Sequence, residues 1–259
     1  MTSPPDTDRA VAMDPATAPV ADPIATTQSY TQLQAAAEKL GLDIYGGFHP
    51  TPAEMRRSPG ITQPQHAAPG VPYGTLILLG TAPSFWPQFR SSPEAQDGAA
   101  DPVDRWSRRV ITALAEAWQA IPAFPFTGPP YAPFVSWALA TGRCFTSPSQ
   151  MLVHDCYGMM ISFRGALYLT THLDLPPPPR AEAPCLSCDT QPCLTACPVA
   201  ALNDGGPYDL AACHDHLDSP AGASCLSAGC LARRACPLSA GADRLPAQSA
   251  HHMRYFHIK

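Results

Sequence analysis

Residues 185–198 read Cys185-Leu-Ser-Cys188-Asp-Thr-Gln-Pro-Cys193-Leu-Thr-Ala-Cys197-Pro198. Four cysteines therefore lie close together in the chain, and the last of them precedes a proline. Thiols at this density, in a chain that begins without a secretory signal, are typical of a metal site rather than of disulfides. The cysteine spacing is thus the strongest signal for both the fold and the chemistry of this part of the chain.

A second cysteine run repeats the pattern. It starts with Cys213 and continues as Cys225-Leu-Ser-Ala-Gly-Cys230-Leu-Ala-Arg-Arg-Ala-Cys236-Pro237. Both runs contain Cys-Leu-Ser and end in Ala-Cys-Pro, and together they hold eight of the ten cysteines. Clustered thiolates closed by Cys-Pro are typical of chains that bind a pair of cubane iron–sulfur clusters, because each cluster needs four soft anionic ligands.

This duplication resembles that of two-cluster ferredoxins, in which the cysteine before proline binds the cluster of the other half. The resemblance implies two 4Fe-4S clusters, each held by three cysteines of one run and the last cysteine of the other. The implied ligand sets are Cys185, Cys188, Cys193 and Cys236 for one cluster, and Cys213, Cys225, Cys230 and Cys197 for the other.

The spacing departs from the bacterial pattern C-x2-C-x2-C-x3-C-P. Four residues separate Cys188 from Cys193, and the gaps in the second run are four and five residues, with Cys213 displaced upstream. The additional residues either bulge out of a loop that still binds its cluster or mark a module that has lost one cluster. Loss of a cluster is a concern for the second run above all, because its spacing departs further from the bacterial pattern.

Zinc is the main alternative to iron–sulfur clusters. Paired Cys-x2–4-Cys knuckles supply four thiolates to a structural zinc ion, and Cys185 and Cys188 with Cys193 and Cys197 fit that description. Zinc knuckles do not need Cys-Pro at both ends, however, and eight thiolates would require two separate ions. Thiols that bind no metal are the third interpretation.

Composition and charge limit the class of protein. The chain has 259 residues, a formal net charge of -5 and a pI near 5.9, which argues against nucleic-acid binding because such proteins need a basic surface. Only 14% of residues are charged and 32 are prolines, so long irregular connections are expected. We expect a cytoplasmic protein, because the N-terminus lacks the basic start and apolar core of a secretory signal. We expect no membrane partner, because no apolar stretch is long enough to span a bilayer.

The run Pro176–Pro179 is a stiff spacer between an α/β body and the cysteine module. The N-terminal segment has almost no large apolar residues and is expected to be disordered, while the aromatic C-terminal segment is expected to dock on the body. The predicted organisation is a disordered tail at 1–28, an α/β body at 29–175, an iron–sulfur module at 180–240 and a docking tail at 241–259.

Hydrophobic periodicity predicts the elements of the body. Apolar residues at three- and four-residue steps indicate helices, and short apolar runs bounded by glycine indicate buried strands. Prolines indicate irregular structure. The predicted elements are helices at 32–40 and from Pro102 to before Pro122, strands at 42–48 and 75–79, and irregular segments at 50–72 and 123–133.

A hairpin is also predicted, from residues 151–153 and 159–171. His154 and Asp155 would lie at its tip. There His154 is either a proton donor or cofactor ligand, or part of a solvated turn, which is the commoner role for a histidine at such a position.

Other chemically capable side chains lie within or beside the cysteine runs. Cys144 and Cys156 are outside both runs and are expected to be unreactive thiols. His214 and His216 either hydrogen-bond a cluster or lie on the surface, which is the default for such histidines. The pair Arg233-Arg234 would either steer an acidic redox partner or offset the negative charge of a cluster.

The body resembles corrinoid-dependent reductases in Phe145-Thr-Ser-Pro-Ser-Gln-Met-Leu-Val-His154-Asp-Cys-Tyr-Gly158 and in Ser162-Phe-Arg-Gly-Ala-Leu167. This group includes epoxyqueuosine reductase, the reductive dehalogenases and a related cobalamin-processing chaperone. The reductases also carry a C-terminal cysteine module whose displaced fifth cysteine is matched by Cys213. The resemblance covers about residues 70–240. It implies an α+β protein with a nitroreductase-like α/β body followed by a small two-cluster ferredoxin-like module.

The resemblance implies iron–sulfur electron transfer to a corrinoid, a flavin or a substrate in the body, with a redox partner protein as the electron source. As an enzyme the protein would be an iron–sulfur and corrinoid-dependent reductase. Reduction of a tRNA epoxide is not expected, because residues 126–131 carry no carboxylate where epoxyqueuosine reductase has its catalytic acid. The alternative function is a non-redox cobalamin carrier or adaptor with structural zinc in the cysteine module.

Overall fold

The computed structural model describes residues 29–57, 74–180, 182–203 and 206–258. The predicted disordered tail at 1–28 and most of the predicted irregular segment at 50–72 lie outside these ranges. Helices and strands are both present, so the protein is of the α+β class. In chain order the elements are α1 Tyr30–Lys39, β1 Leu42–Phe48, α2 Pro52–Arg56, β2 Thr75–Thr81, α3 Phe85–Arg90, α4 Pro93–Gln96, α5 Pro102–Ala117, β3 Ala120–Ala123, α6 Phe134–Ala140, β4 Cys144–Thr146, β5 Leu152–His154, β6 Phe163–Leu169, a 3-10 turn Pro184–Ser187, α7 Pro192–Thr195, α8 Leu210–Asp218, a 3-10 turn Pro220–Gly222, α9 Ala223–Ala228, α10 Leu231–Ala235, a 3-10 turn Pro237–Ala242 and α11 Pro246–Phe256.

Four antiparallel strands form the main sheet in the order β1-β2-β6-β3. Every residue of β2 is buried, which explains why its sequence is a continuous apolar run. Leu76 and Leu78 belong to the core on one face of the sheet, while Ile77 and Leu79 belong to the core on the other. β3 contains Pro122 and lies at an edge, where strands tolerate proline.

Helices cover both faces of this sheet. The core on one face contains Leu33 of α1, Phe85 of α3 and Ile111 of α5, and the core on the other contains Phe134 and Trp137 of α6. The two predicted helices and the predicted strands at 42–48 and 75–79 are therefore confirmed, with bounds shifted by no more than two residues where a bound was predicted. The periodicity of the two helices is clear because each buries one apolar face, and the strand at 75–79 is apolar throughout because both of its faces are buried.

The predicted hairpin of 151–153 with 159–171 is wrong. β5 pairs with β4 in a separate two-stranded sheet, while β6 pairs with β2 and β3. The Ser147 N–H donates to Met151 O at 2.9 Å and closes the turn between β4 and β5. An isolated bridge between His154 and Gly158 is what remains of the predicted connection. Alternating polarity identifies a strand but not the strand with which it pairs.

Several short elements were not predicted. α2 lies inside the predicted irregular segment, where the Thr51 hydroxyl and the Glu54 carboxylate cap the helix reciprocally. The helices α3, α4 and α6 have six, four and seven residues, too few for a helical period to stand out.

The cysteine module packs directly on the body. Gly158 of the body has a φ of +55°, and a Cβ there would lie 2.4 Å from the backbone nitrogen of Ser239 in the module. Only a glycine allows the body and the module to approach this closely. The Ser239 hydroxyl accepts a 3.1 Å hydrogen bond from the Met159 N–H. Further along, α11 contacts α3, where the rings of His251 and Trp86 have centroids 5.4 Å apart.

Within the described ranges, no helix combines the length and the apolar character needed to cross a membrane.

Candidate metal centres

The first cavity has a volume of about 200 Å³ and lies between the cysteine module and β5. Its lining includes the buried side chains of Val153 and Met159 from the body. Its four sulfur atoms come from the 3-10 turn Pro184–Ser187, the residue that follows this turn, α7 and the residue that follows α10. The cysteines that line it are Cys185, Cys188, Cys193 and Cys236.

The second cavity has a volume of about 370 Å³ and lies beside the turn between β4 and β5. Much of its lining is apolar and includes Leu217 of α8, Leu231 of α10 and Phe256 of α11. α8, α9 and the residue before α10 present three of its sulfur atoms, and the fourth follows shortly after α7. The cysteines that line it are Cys197, Cys213, Cys225 and Cys230.

Each cavity draws its cysteines from both runs. α7 carries Cys193 at the first cavity and leads to Cys197 at the second, while α10 connects Cys230 at the second cavity to Cys236 at the first. α7 and α10 contact each other, which brings the two connections together. The two quartets are the sets that the resemblance to two-cluster ferredoxins implies, with the Cys-Pro cysteine of each run in the cavity of the other.

Each quartet contains at least one thiol that loses its proton less readily than an ordinary cysteine. All ten cysteines of the chain are free thiols. Burial, together with the neighbouring Cys236, Cys193 and Cys188, raises the pKa of Cys185 to about 11, and burial likewise raises the pKa of Cys213. Because thiolates and not thiols bind metals, a metal centre bound by these sulfurs would displace protons from the quartets.

The sulfur atoms of each quartet are spread around a space. In the described part of the chain, no three cysteine sulfurs lie within 4.8 Å of one another. A tetrahedral zinc ion would hold its four sulfurs about 3.8 Å apart, because each Zn–S bond is about 2.3 Å long. Four thiol sulfurs around one cavity are a donor set that either a 4Fe-4S cluster or a structural zinc ion can use.

Arg233 ties the second cavity to the body. It lines that cavity, and its guanidinium donates to the carbonyl oxygens of Met159 at 2.7 Å and Ile161 at 2.9 Å. The exposed Arg234 instead donates to the Ser224 hydroxyl at 2.8 Å. Of the two roles predicted for this pair, partner steering does not suit Arg233, because its guanidinium is held by the backbone of the body.

The expectation that His214 and His216 lie on the surface is wrong. Both residues are partly buried on α8, and the Nε2 atom of each is buried and has no hydrogen-bond partner among the described residues. His216 lines the second cavity together with the four cysteines. The sequence signal for His216 was its position three residues after Cys213, because residues three positions apart on a helix face the same side.

The predicted solvated turn at His154 and Asp155 is also wrong, because both side chains are buried. Arg143 donates to both Asp155 carboxylate oxygens, at 2.9 and 3.0 Å. This guanidinium helps to hold the pKa of the Asp155 carboxyl below its usual range despite burial, which acts in the opposite direction. Nothing in the sequence around Arg143 indicates this contact, since it depends on β4 lying beside β5.

His154 is a neutral structural residue. Its Nδ1 atom accepts hydrogen bonds from the N–H groups of Cys156 at 3.1 Å and Tyr157 at 3.3 Å, so the proton is on Nε2, which donates to Tyr45 O at 3.2 Å. Burial, and secondarily the charge of Arg143, lowers the pKa of His154 to about 4. The His154, Asp155 and Cys156 ligand atoms lie within 4.8 Å of one another, but the first two are already engaged, so this group is not a metal site.

The two remaining cysteines differ in exposure. Cys144 is buried, and burial raises the pKa of its thiol to about 12, as an unreactive thiol requires. Cys156 is exposed. The part of its side chain that is buried, and the neighbouring Asp155, raise the pKa of its thiol. Neither thiol lines one of the two cysteine cavities.

No protein-family model matches this chain, and no match was found among curated proteins. Function is therefore inferred from the chemistry of the two cysteine cavities.

Proposed function

We propose that this protein is an iron–sulfur electron-transfer protein whose C-terminal module is ferredoxin-like and binds two 4Fe-4S clusters. The observation that carries the proposal is the crossing of eight cysteines into two quartets, one at each cavity. The Cys-Pro cysteine of each run joins the quartet of the other run, as in two-cluster ferredoxins. The proposed ligands are Cys185, Cys188, Cys193 and Cys236 for one cluster, and Cys197, Cys213, Cys225 and Cys230 for the other.

The donor chemistry of both cavities fits these clusters. Four thiolates are the usual ligand set of a 4Fe-4S cluster. None of the described residues that line either cavity is a carboxylate, so the hard oxygen ligands that magnesium and calcium need are missing there. When bound, such clusters accept and donate single electrons at a potential set by net charge, hydrogen bonds and exposure to solvent.

The chain itself fixes the relation between the two quartets. α10 joins Cys230 of one quartet to Cys236 of the other and has five residues, so it spans about 7.5 Å at 1.5 Å per residue. Two electron-carrying centres would therefore be held close together.

We further propose that the body is nitroreductase-like and that electrons pass from the module to a corrinoid, a flavin or a substrate in it, with a redox partner protein as their source. The resemblance in 145–158 and 162–167 supports this part of the proposal, and a sheet covered by helices on both faces is compatible with it. No residue is assigned to a corrinoid, because both ring nitrogens of His154 are engaged by the backbone.

The metal content of anaerobically purified protein tests the proposal. Iron, sulfide, zinc and cobalt would be measured together with an absorption spectrum. We expect about eight irons and eight sulfides per chain and the broad visible absorption of cubane clusters. Zinc without iron would overturn the proposal and leave a carrier or adaptor with structural zinc. Cobalt, or uptake of added cobalamin, would support the corrinoid.

A pair of cysteine variants tests the ligand assignment. Cys193→Ala removes a ligand of the first quartet and is expected to lose about half of the iron, because a cubane with three thiolate ligands is held weakly. Cys144→Ala is the matched control, since this cysteine is also buried but lies outside both cavities. Unchanged iron in Cys193→Ala, or equal loss in Cys144→Ala, would contradict the assignment.

A further inference from the structure

One residue that lines the second cavity has a buried ring nitrogen that nothing in the described chain satisfies. His216 lines this cavity with the four cysteines, and its Nε2 atom is buried and has no hydrogen-bond partner. A buried polar group without a partner is unfavourable, so native proteins rarely leave one unpaired. Besides the side-chain oxygens of Ser149, Gln150 and Tyr208, the acceptors of the cavity are cysteine sulfurs, and a sulfur of the proposed cluster or of its thiolates is a suitable partner.

Two other groups of the same cavity also favour negative charge. The Tyr208 hydroxyl hydrogen-bonds Cys213, and burial and this bond both raise the pKa of Tyr208. Arg233 brings a guanidinium to the cavity and lies within electrostatic range of Cys230. A hydroxyl donor, an imidazole donor and a positive charge therefore meet around one quartet.

The first cavity has a weaker set of polar groups. The Ser187 hydroxyl donates to Pro184 O at 3.2 Å, so it is engaged within its own turn. Arg180 is exposed, and solvent screens its charge. Gln191 is the remaining polar side chain among the described residues of this lining, and it is uncharged.

We infer that His216 donates a hydrogen bond to the cluster of the second quartet and that, with Tyr208 and Arg233, it raises the reduction potential of this cluster above that of the first. The inference rests on the proposed function. Hydrogen bonds to sulfur and nearby positive charge stabilise the reduced state, which carries one more electron. An electron shared between the two quartets would therefore reside mainly at the second.

A redox titration of the anaerobic holoprotein, followed by visible absorbance and electron paramagnetic resonance, tests the inference. The wild-type protein is expected to be reduced in two separate one-electron steps. Cys193→Ala assigns the steps, because the cluster that survives in this variant belongs to the second quartet and is expected to show the step of higher potential. Survival of the lower step would overturn the inference.

Variants of His216 separate a role in tuning from a role in packing. His216→Leu removes the donor and is expected to move the higher step to lower potential without changing the lower step or the iron content. His216→Gln keeps an N–H donor and is expected to retain most of the wild-type potential. His172→Leu is the control, since His172 is exposed and lines neither cavity.

The outcomes also separate this inference from the proposed function. Two steps of equal potential in a protein with about eight irons, or a His216→Leu variant with both steps unchanged, would overturn the inference alone. A wild-type protein without iron would overturn the proposed function and the inference with it.

Discussion

The two cysteine cavities are each lined by four cysteines but differ in the residues around them. Each takes three cysteines from one run and the Cys-Pro cysteine from the other. The second cavity adds Tyr208, His216 and Arg233, whereas the first packs against Val153 and Met159 of the body. The repeated cysteines thus recur in both cavities, while the residues between and beside them give each quartet a different environment.

The cavities also share one support. Met159 lines the first cavity. The carbonyl oxygens of Met159 and Ile161 also accept hydrogen bonds from Arg233, which lines the second cavity. We call residues 158–161 the shared support. A change there is expected to affect both cavities, whereas a change of one cysteine affects only one.

The largest expected effect is loss of one cluster when a crossing cysteine is removed. Cys236→Ser is expected to halve the iron content by emptying the first cavity, although Cys236 belongs to the second run. Adding Cys185→Ser is expected to cost no further iron, because both residues line the same cavity. Adding Cys225→Ser instead is expected to remove nearly all iron.

Iron analysis of these single and double variants distinguishes crossed from uncrossed quartets. If each cluster used the cysteines of one run alone, Cys236→Ser with Cys225→Ser would keep half of the iron, and Cys236→Ser with Cys185→Ser would lose all of it. That pattern would contradict the crossed arrangement.

A smaller effect is expected from Gly158→Ala in the shared support. The left-handed backbone costs an alanine about 1 kcal/mol, and the contact with Ser239 adds overpacking, so we expect a loss of about 3 kcal/mol in the free energy of unfolding. Gly98→Ala is the control, because Gly98 has a φ of +69° but no atom within 4 Å of the added Cβ. Equal losses in urea denaturation would show that the close packing at Gly158 is unimportant.

Next in size is the effect of removing Arg233. Arg233→Ala deletes two charge-assisted hydrogen bonds to the shared support, and we expect a loss of about 2 kcal/mol. Arg234→Ala, the neighbouring variant, removes one bond to an exposed serine and is expected to cost about 0.5 kcal/mol. Denaturation curves of the two variants check this difference, and a larger effect from Arg234→Ala would refute the proposed role of Arg233 in docking.

The smallest effect concerns the pH dependence of His154, which precedes the shared support. Its pKa in the folded protein is about 4, below the usual value of about 6.5. As the pH falls from 7.5 to 5.5 the unfolded chain binds a proton that native His154 does not, so stability is lost, by about 1 kcal/mol.

His154→Asn is expected to show a smaller loss of stability than the wild type over this pH range. His251 and His252 also have lowered pKa values and contribute to the slope in both proteins, so the difference between slopes is the quantity to measure. His172→Asn is the control. Equal slopes for wild type and His154→Asn would contradict the neutral, buried imidazole.

Local sequence was sufficient for features that depend on one segment. The amphipathic spacing in α5 and the apolar run of β2 each determine an element without reference to the rest of the chain. The Cys-Pro pattern likewise indicated how the cysteines group, because a known ligand scheme relates the two runs.

Features that depend on which segments pair or pack together could not be predicted. β5 pairs with β4 rather than β6, and this choice buries His154 and Asp155 against Arg143. The contact of Arg233 with the shared support depends on how the module docks. Single polar residues carry no periodic signal, so their partners become evident only in three dimensions.

Crystallographic data collected on both sides of the iron absorption edge would test the central claim most directly. We predict two compact groups of iron atoms, one in each cavity, each bound by three cysteines of one run and the Cys-Pro cysteine of the other. A single iron group, one-atom peaks that scatter anomalously at the zinc edge, or two iron groups each bound within one run would contradict the crossed two-cluster arrangement.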